Sequence, residues 1–186
     1  MDFGERAAFL SKIVRKKEGW MIIIRDYRES DADCVGKLIA DTYREFNLSF
    51  APPEQRNAFL GPFQFAGSLE KSHQEAIARV IRASMVFVAE RDGEIVGVLR
   101  GRKDKLQSLF VRGDLHRQGI GRRLVEIFEQ ACVGQGAKEI RLMSTLYAVP
   151  FYQAIGYKKS TGVRRMKSFE GEGLPYQPMK KVLKSG

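Results

Sequence analysis

At 186 residues the chain suits one domain with a hydrophobic core, and its 44% hydrophobic and 29% charged residues are the balance of a soluble globular protein. No apolar run approaches the roughly 20 residues that cross a bilayer, and the N-terminus lacks the features of a secretory signal, so a cytoplasmic location is expected. The net charge of +10 attracts polyanions, whether nucleic acid, acidic lipid or a phosphorylated cofactor.

Residues 1–20 place Ala7, Phe9, Leu10, Ile13 and Val14 at helical spacing among basic residues, which predicts an amphipathic extension preceding a single domain over 21–186. WMIIIRDYR is a β-branched strand. ESDADCVGKLIADTYREF has Ser30 or Asp31 as N-cap and apolar periodicity through Phe46. After it, Pro52 and Pro53 break regular structure, yet Phe50, Phe59, Phe63 and Phe65 are too apolar for a free loop. KSHQEAIARVIRA is a further helix.

MVFVAE and EIVGVLRG flank Asp92-Gly93, a strong hairpin signal, and KLQSLFV continues the meander. The helix GRRLVEIFEQACVGQG follows, then the strand KEIRLMST, the short helix AVPFYQAIG, the strand YKKSTGVRRMKSF and the closing strand PYQPMKKVL. The order gives a mixed α/β sheet with helices on both faces. Cys34 and Cys132 lie far apart without a CxxC pair, and His73 and His116 are isolated. Two buried free thiols and no metal are expected.

LHRQGIGRR, at the start of the longest helix, concentrates the chemistry. Gly119 and Gly121 permit a sharp turn, and a helix N-terminus with exposed amides beside Arg117, Arg122 and Arg123 is a seat for phosphate. Packing alone would also explain the glycines. A Rossmann fingerprint would need a third glycine where Leu124 stands and a position after the first strand. A Walker loop would need GK followed by Ser or Thr.

LQSLFV, HRQGIGRR, AVPFYQAIGY and MKKVL, in that order, resemble the GCN5-related N-acetyltransferase (GNAT) superfamily over about residues 21–183. The resemblance implies an acyl-CoA N-acyltransferase fold, a mostly antiparallel sheet splayed between its fourth and fifth strands. It implies an acetyl-CoA-dependent N-acetyltransferase acting by direct attack in a ternary complex. The pyrophosphate would lie on the backbone of Arg117, Gln118, Gly119, Ile120, Gly121 and Arg122, and the pantetheine along Leu109, Phe110 and Val111. The Val111 amide would face the thioester oxygen, and Tyr152 would protonate the leaving thiolate. Tyr152 also has a plain packing explanation.

Three features depart from the family pattern. His116 stands where glutamine or arginine is usual and receives no catalytic role; Thr145 stands for an asparagine and is carried as a cofactor contact; Gln107 and Ser108 occupy a strand on which many members place a glutamate base. The alternatives are a catalytically degenerate acyl-CoA sensor and, behind it, a basic nucleic-acid-binding module. The partners expected are acetyl-CoA and an unidentified amine, without nucleic acid; a homodimer is left open. The Phe50 to Phe65 stretch is expected either to wall an apolar acceptor pocket or only to tie an irregular segment to the core.

Overall fold

The computed structural model of the protein describes residues 12–15 and 21–183. In chain order the elements are β1 (Lys12–Arg15), β2 (Met21–Asp26), α1 (Ala32–Thr42), α2 (Arg56–Leu60), α3 (Lys71–Ile81), β3 (Met85–Arg91), β4 (Glu94–Arg102) and β5 (Lys105–Val111). There follow α4 (Ile120–Gly134), β6 (Glu139–Thr145), α5 (Val149–Ala154), β7 (Lys158–Lys159), β8 (Arg164–Ser168) and β9 (Gly171–Val182). The strands form a nine-stranded sheet in the order β1-β2-β3-β4-β5-β6-β9-β7, with β8 also on β9.

Lys12–Arg15 corrects the helical reading of the N-terminal extension. It is an edge strand antiparallel to β2, with Lys12 opposite Ile24 and Arg15 opposite Met21. Four residues around the β-branched pair Ile13-Val14 gain ladder partners from β2, which a helix there would forgo. The rest of 1–20 lies outside the described residues. YKKSTGVRRMKSF is also interrupted: Lys158 pairs with Lys180 and Arg164 with Tyr176, so the connection between β7 and β8 is two residues longer than the β9 segment it faces.

The sheet has a core on each face because its strands alternate. Met85, Phe87 and Ala89 of β3 join Leu124, Val125 and Phe128 of α4 and Tyr152 of α5 in one cluster. Val86 and Val88 point the other way, against Val35 and Ile39 of α1, Phe59 and Leu60 of α2, and Ile77 and Ile81 of α3. Phe63 is buried in that second cluster, while Phe50 packs edge-on against Phe59 and Phe65 stacks on His73. Cys132 is buried, but Cys34 is exposed on α1, contrary to the expectation of two buried thiols.

β5 departs from regular pairing in two ways that open the sheet. Arg100 faces Ser108, yet Gly101 faces Leu106, so Gln107 is an additional residue on β5. This bulge resets the alternation and puts Leu106, Leu109 and Val111 on the α4 side, with Phe110 on the α1 side. β5 also runs parallel to β6, the fourth and fifth strands when counting starts at β2, but they pair only at Lys105↔Arg141 and Leu106↔Leu142. Beyond Leu106 the two strands part.

Candidate active site

The loop between β5 and α4 is shaped by backbone conformations that leave amides bare. Arg117 has φ 61° and Gly119, the N-cap of α4, has φ 87°. Left-handed φ is cheap for glycine and strained for arginine. α4 is not closed by a capping side chain from Gly119, so its first amides face outward. The neighbouring basic residues divide into two sets. Arg112 is neutralised by Glu94 and Asp114, and Arg123 by Glu126. Arg117 and Arg122 have no carboxylate partner among the described residues, and both line the cavity beside the loop.

That cavity holds about 590 Å³ and lies between the end of β5, the start of α4, the turn after α1 and α5. It brings together Leu109, Phe110, Val111, Arg117, Gly119, Ile120, Gly121, Arg122 and Tyr152 from the sequence-predicted set. Gln118 and Thr145 are not among its lining. The Gln118 side chain donates back to the Asp114 carbonyl at 3.2 Å, and Thr145 Oγ1 accepts from Asn47 Nδ2 at 2.8 Å. Phe50, Phe59, Phe63 and Phe65 do not line it either: Phe59 and Phe63 are buried in the α1-side core, whereas Phe50 and Phe65 stay exposed.

The rest of the lining includes His116 of the loop motif, to which the sequence gave no role, and residues no motif pointed to: Thr42, Phe46, Asn47 and Tyr147. α1 ends in a π-helical turn, Tyr43–Asn47, a local widening of the helix that often accompanies functional sites. It delivers Phe46 onto the β5–α4 loop so closely that a Cβ on Gly113 would lie 2.8 Å from its ring. Phe46 stacks on Tyr147 at 5.3 Å and tilts against His116 at 4.6 Å. The His116 ring in turn bonds the Val111 carbonyl through Nε2 at 2.8 Å, and its Nδ1 meets the Tyr147 hydroxyl at 3.4 Å. The sequence signal available was the departure at His116 itself.

Tyr152 sits 5% exposed on α5, edge-on to Phe151 at 5.1 Å and to Tyr157 at 5.6 Å. Burial pushes its phenol above the ordinary tyrosine value, so it is protonated at neutral pH. Phe151 stays half-buried and reaches the loop, with its Cζ 3.4 Å from the place a Cβ on Gly121 would take. α5 therefore touches the glycine loop through Phe151 and the core through Tyr152.

The residues present fit an acyl-CoA. An open helix N-terminus and two arginines unpaired among the described residues suit its phosphates, and the freed edge of β5 suits its amide-bearing arm. Among the described residues, no helix is long and apolar enough to cross a membrane.

Comparison with known proteins agrees with this geometry. Residues 55–183 match the family model described as "Acetyltransferase (GNAT) domain". Human N-acetyltransferase 8 is 34% identical over 92 residues, a match taking in 42% of this chain and 40% of that protein, so less than half of this curated relative is spanned. A GCN5-related N-acetyltransferase from Rhodopseudomonas palustris shares the fold with a TM-score of 0.69, at 19% identity over 86% of this chain and 94% of its own. The PaiA N-acetyltransferase of Thermoplasma acidophilum, solved in complex with coenzyme A, superposes with a TM-score of 0.67 at 15% identity, covering 87% of this chain and 99% of its own. With the family model covering most of the chain, and the splayed sheet and glycine loop in place, the chain belongs to the GNAT acetyltransferase family.

Proposed function

We propose that the cleft takes acetyl-CoA and that the protein transfers the acetyl group to a primary amine by direct attack in a ternary complex. The observation that carries this reading is one cavity in which a bare helix N-terminus, Arg117 and Arg122 without a carboxylate partner among the described residues, and the unpaired edge of β5 converge. The backbone of residues 117–122 would hold the pyrophosphate. Leu109 and Val111 would bind the pantetheine as an added strand, and the Val111 N–H is assigned to the thioester oxygen, where negative charge develops.

Tyr152 is assigned to the leaving sulfur. Its raised phenol value keeps the proton available, and the same burial makes a free tyrosinate costly. Its contribution is then a hydrogen bond that strengthens as charge develops on sulfur; as the C–N bond forms and the C–S bond breaks, the proton shed by the amine balances the one the sulfur takes up. On the acceptor side, Thr42, Phe46, Asn47 and Tyr147 offer aromatic and neutral polar surface. Among the described lining residues the charges are positive, from Arg117 and Arg122. A polycationic acceptor is disfavoured by this lining.

The test of the cofactor reading is thermal stability with CoA. A ligand that binds only the native state raises the melting temperature. CoA and acetyl-CoA are expected to do so for the wild type, and Gly121→Glu, which adds bulk and negative charge beside Phe151, is expected to abolish the shift. An undiminished shift in the variant would place the phosphates elsewhere.

A further inference from the structure

We infer that His116 is a positioning residue: by holding the Val111 carbonyl, it fixes the register in which the pantetheine arm pairs with β5. The inference rests on the acyl-CoA reading of the cleft. Its starting point is one peptide group. The Arg112 N–H donates to the Val96 carbonyl of β4 at 2.9 Å. In a trans peptide the C=O and N–H point in opposite directions, so the Val111 carbonyl points away from β4, into the gap left by β6. There it meets His116 Nε2 at 2.8 Å.

A carbonyl can only accept, so Nε2 carries the hydrogen and donates. In the neutral ring Nδ1 is then an acceptor, and the hydroxyl it meets, 3.4 Å away on Tyr147, is a donor. The tautomer and the ring plane are both held, the latter by Phe46 at 4.6 Å. His116 itself is fixed at the end of a short 3₁₀ turn, Gly113–Leu115, where its N–H donates to the Gly113 carbonyl at 3.1 Å.

The consequence lies along the strand edge. In an extended strand the N–H and C=O of one residue share a side, and the sides alternate. Leu109 and Val111 therefore both present their polar groups to the gap. An arm with two amide groups would have two equivalent carbonyls to choose from if that edge were bare. His116 occupies one, leaving Leu109 as the free acceptor while the Val111 N–H stays available. A slip of one pairing step, two residues, would move the thioester by about 6.6 Å, whereas attack requires the reacting atoms to lie about 3–3.5 Å apart. Register decides turnover here more than affinity does.

The experiment compares His116→Gln, which keeps a donor, with His116→Met, which has similar bulk and none. The readouts are kcat for acetyl transfer, CoA affinity by calorimetry, and melting temperature. For His116→Met we expect kcat to fall by about 10²-fold, the scale of a misplaced reacting group, with CoA affinity and melting temperature nearly unchanged. His116→Gln should keep most of the wild-type kcat. Equal kcat in the two variants would overturn the inference. So would a His116→Met protein that loses CoA affinity in proportion to activity, because the side chain would then serve binding as a whole. A wild-type protein that binds no CoA would overturn the acyl-CoA reading beneath it.

Discussion

Asn47 at the end of the π-helical turn donates its side-chain amide to the hydroxyl of Thr145 at the end of β6, at 2.8 Å. Asn47 follows α1 and Thr145 closes β6, so the bond ties the end of α1 to the strand that parts from β5. Thr145 is thereby engaged by the turn that follows α1, whereas its place in the motif implied a cofactor contact.

The two roles of Thr145 separate on Thr145→Val, which keeps the shape and removes the acceptor. Loss of one partly buried hydrogen bond should lower stability by about 0.5–1.5 kcal/mol, seen by chemical denaturation. CoA affinity should be unchanged, while KM for the acceptor rises as Phe46 and Asn47 loosen. A drop in CoA affinity with an unaltered acceptor KM would return Thr145 to the cofactor.

Gly119 and Gly121 are needed for different reasons, and alanine at each should show it. At Gly119 a Cβ would meet nothing within 4 Å, but φ is 87°. Gly119→Ala should therefore cost about 1–2 kcal/mol through conformation alone. At Gly121, inside the first turn of α4, a Cβ would lie 3.4 Å from the Phe151 ring, and alanine gains helix propensity of up to about 1 kcal/mol. Gly121→Ala should melt at or above the wild-type temperature and yet bind CoA more weakly. Equal melting temperatures for the two variants would contradict this division.

Away from the site, Asp31 offers a pH-dependent test of the fold. Burial pushes its carboxyl up, but two hydrogen bonds from Arg25 and one from the Arg28 amide outweigh this and hold it below the usual carboxylate value. A lowered folded-state pKa stabilises the protein fully above the unfolded pKa of about 3.9. That stabilisation is lost as pH falls through the folded value. Asp31→Asn should cost about 1.5–3 kcal/mol at neutral pH, and its gap from wild type should narrow below about pH 4 in denaturant titrations. A constant gap would mean that the ionised carboxylate is not the source.

The order of elements was legible because its signals are local. Asp92-Gly93 marked the β3–β4 hairpin, and HRQGIGRR marked the start of α4. What escaped depends on partners distant in sequence. Ile13 and Val14 fit a helical period, and only pairing with Ile22 and Ile23 makes them a strand. The phenylalanines of 50–65 gave no direction, since Phe63 meets Phe169 more than a hundred residues later, and only Phe59 and Phe63 of the four are buried in the core. Phe46 read as the last apolar position of a helix, and its place on the cleft follows from the π-helical turn. Within the site, the glycine loop, β5 and Tyr152 were readable from motifs. The contacts of Phe46 with His116 and Tyr147, and of Asn47 with Thr145, were not, because each joins residues far apart in sequence.

The most direct measurement is turnover: wild type and Tyr152→Phe incubated with acetyl-CoA and a panel of amines, with N-acetylated product and released CoA followed by mass spectrometry. The wild type should acetylate neutral or apolar primary amines in preference to polycations, releasing one CoA per acetyl group moved. Tyr152→Phe keeps the ring contacts with Phe151 and Tyr157 and removes only the hydroxyl. Its kcat should fall by about 10²–10⁴-fold, the range of positioned proton transfer, at nearly unchanged acetyl-CoA affinity and melting temperature. A wild-type protein that binds CoA and acetylates no amine, or a stable Tyr152→Phe protein with full activity, would contradict the assignment.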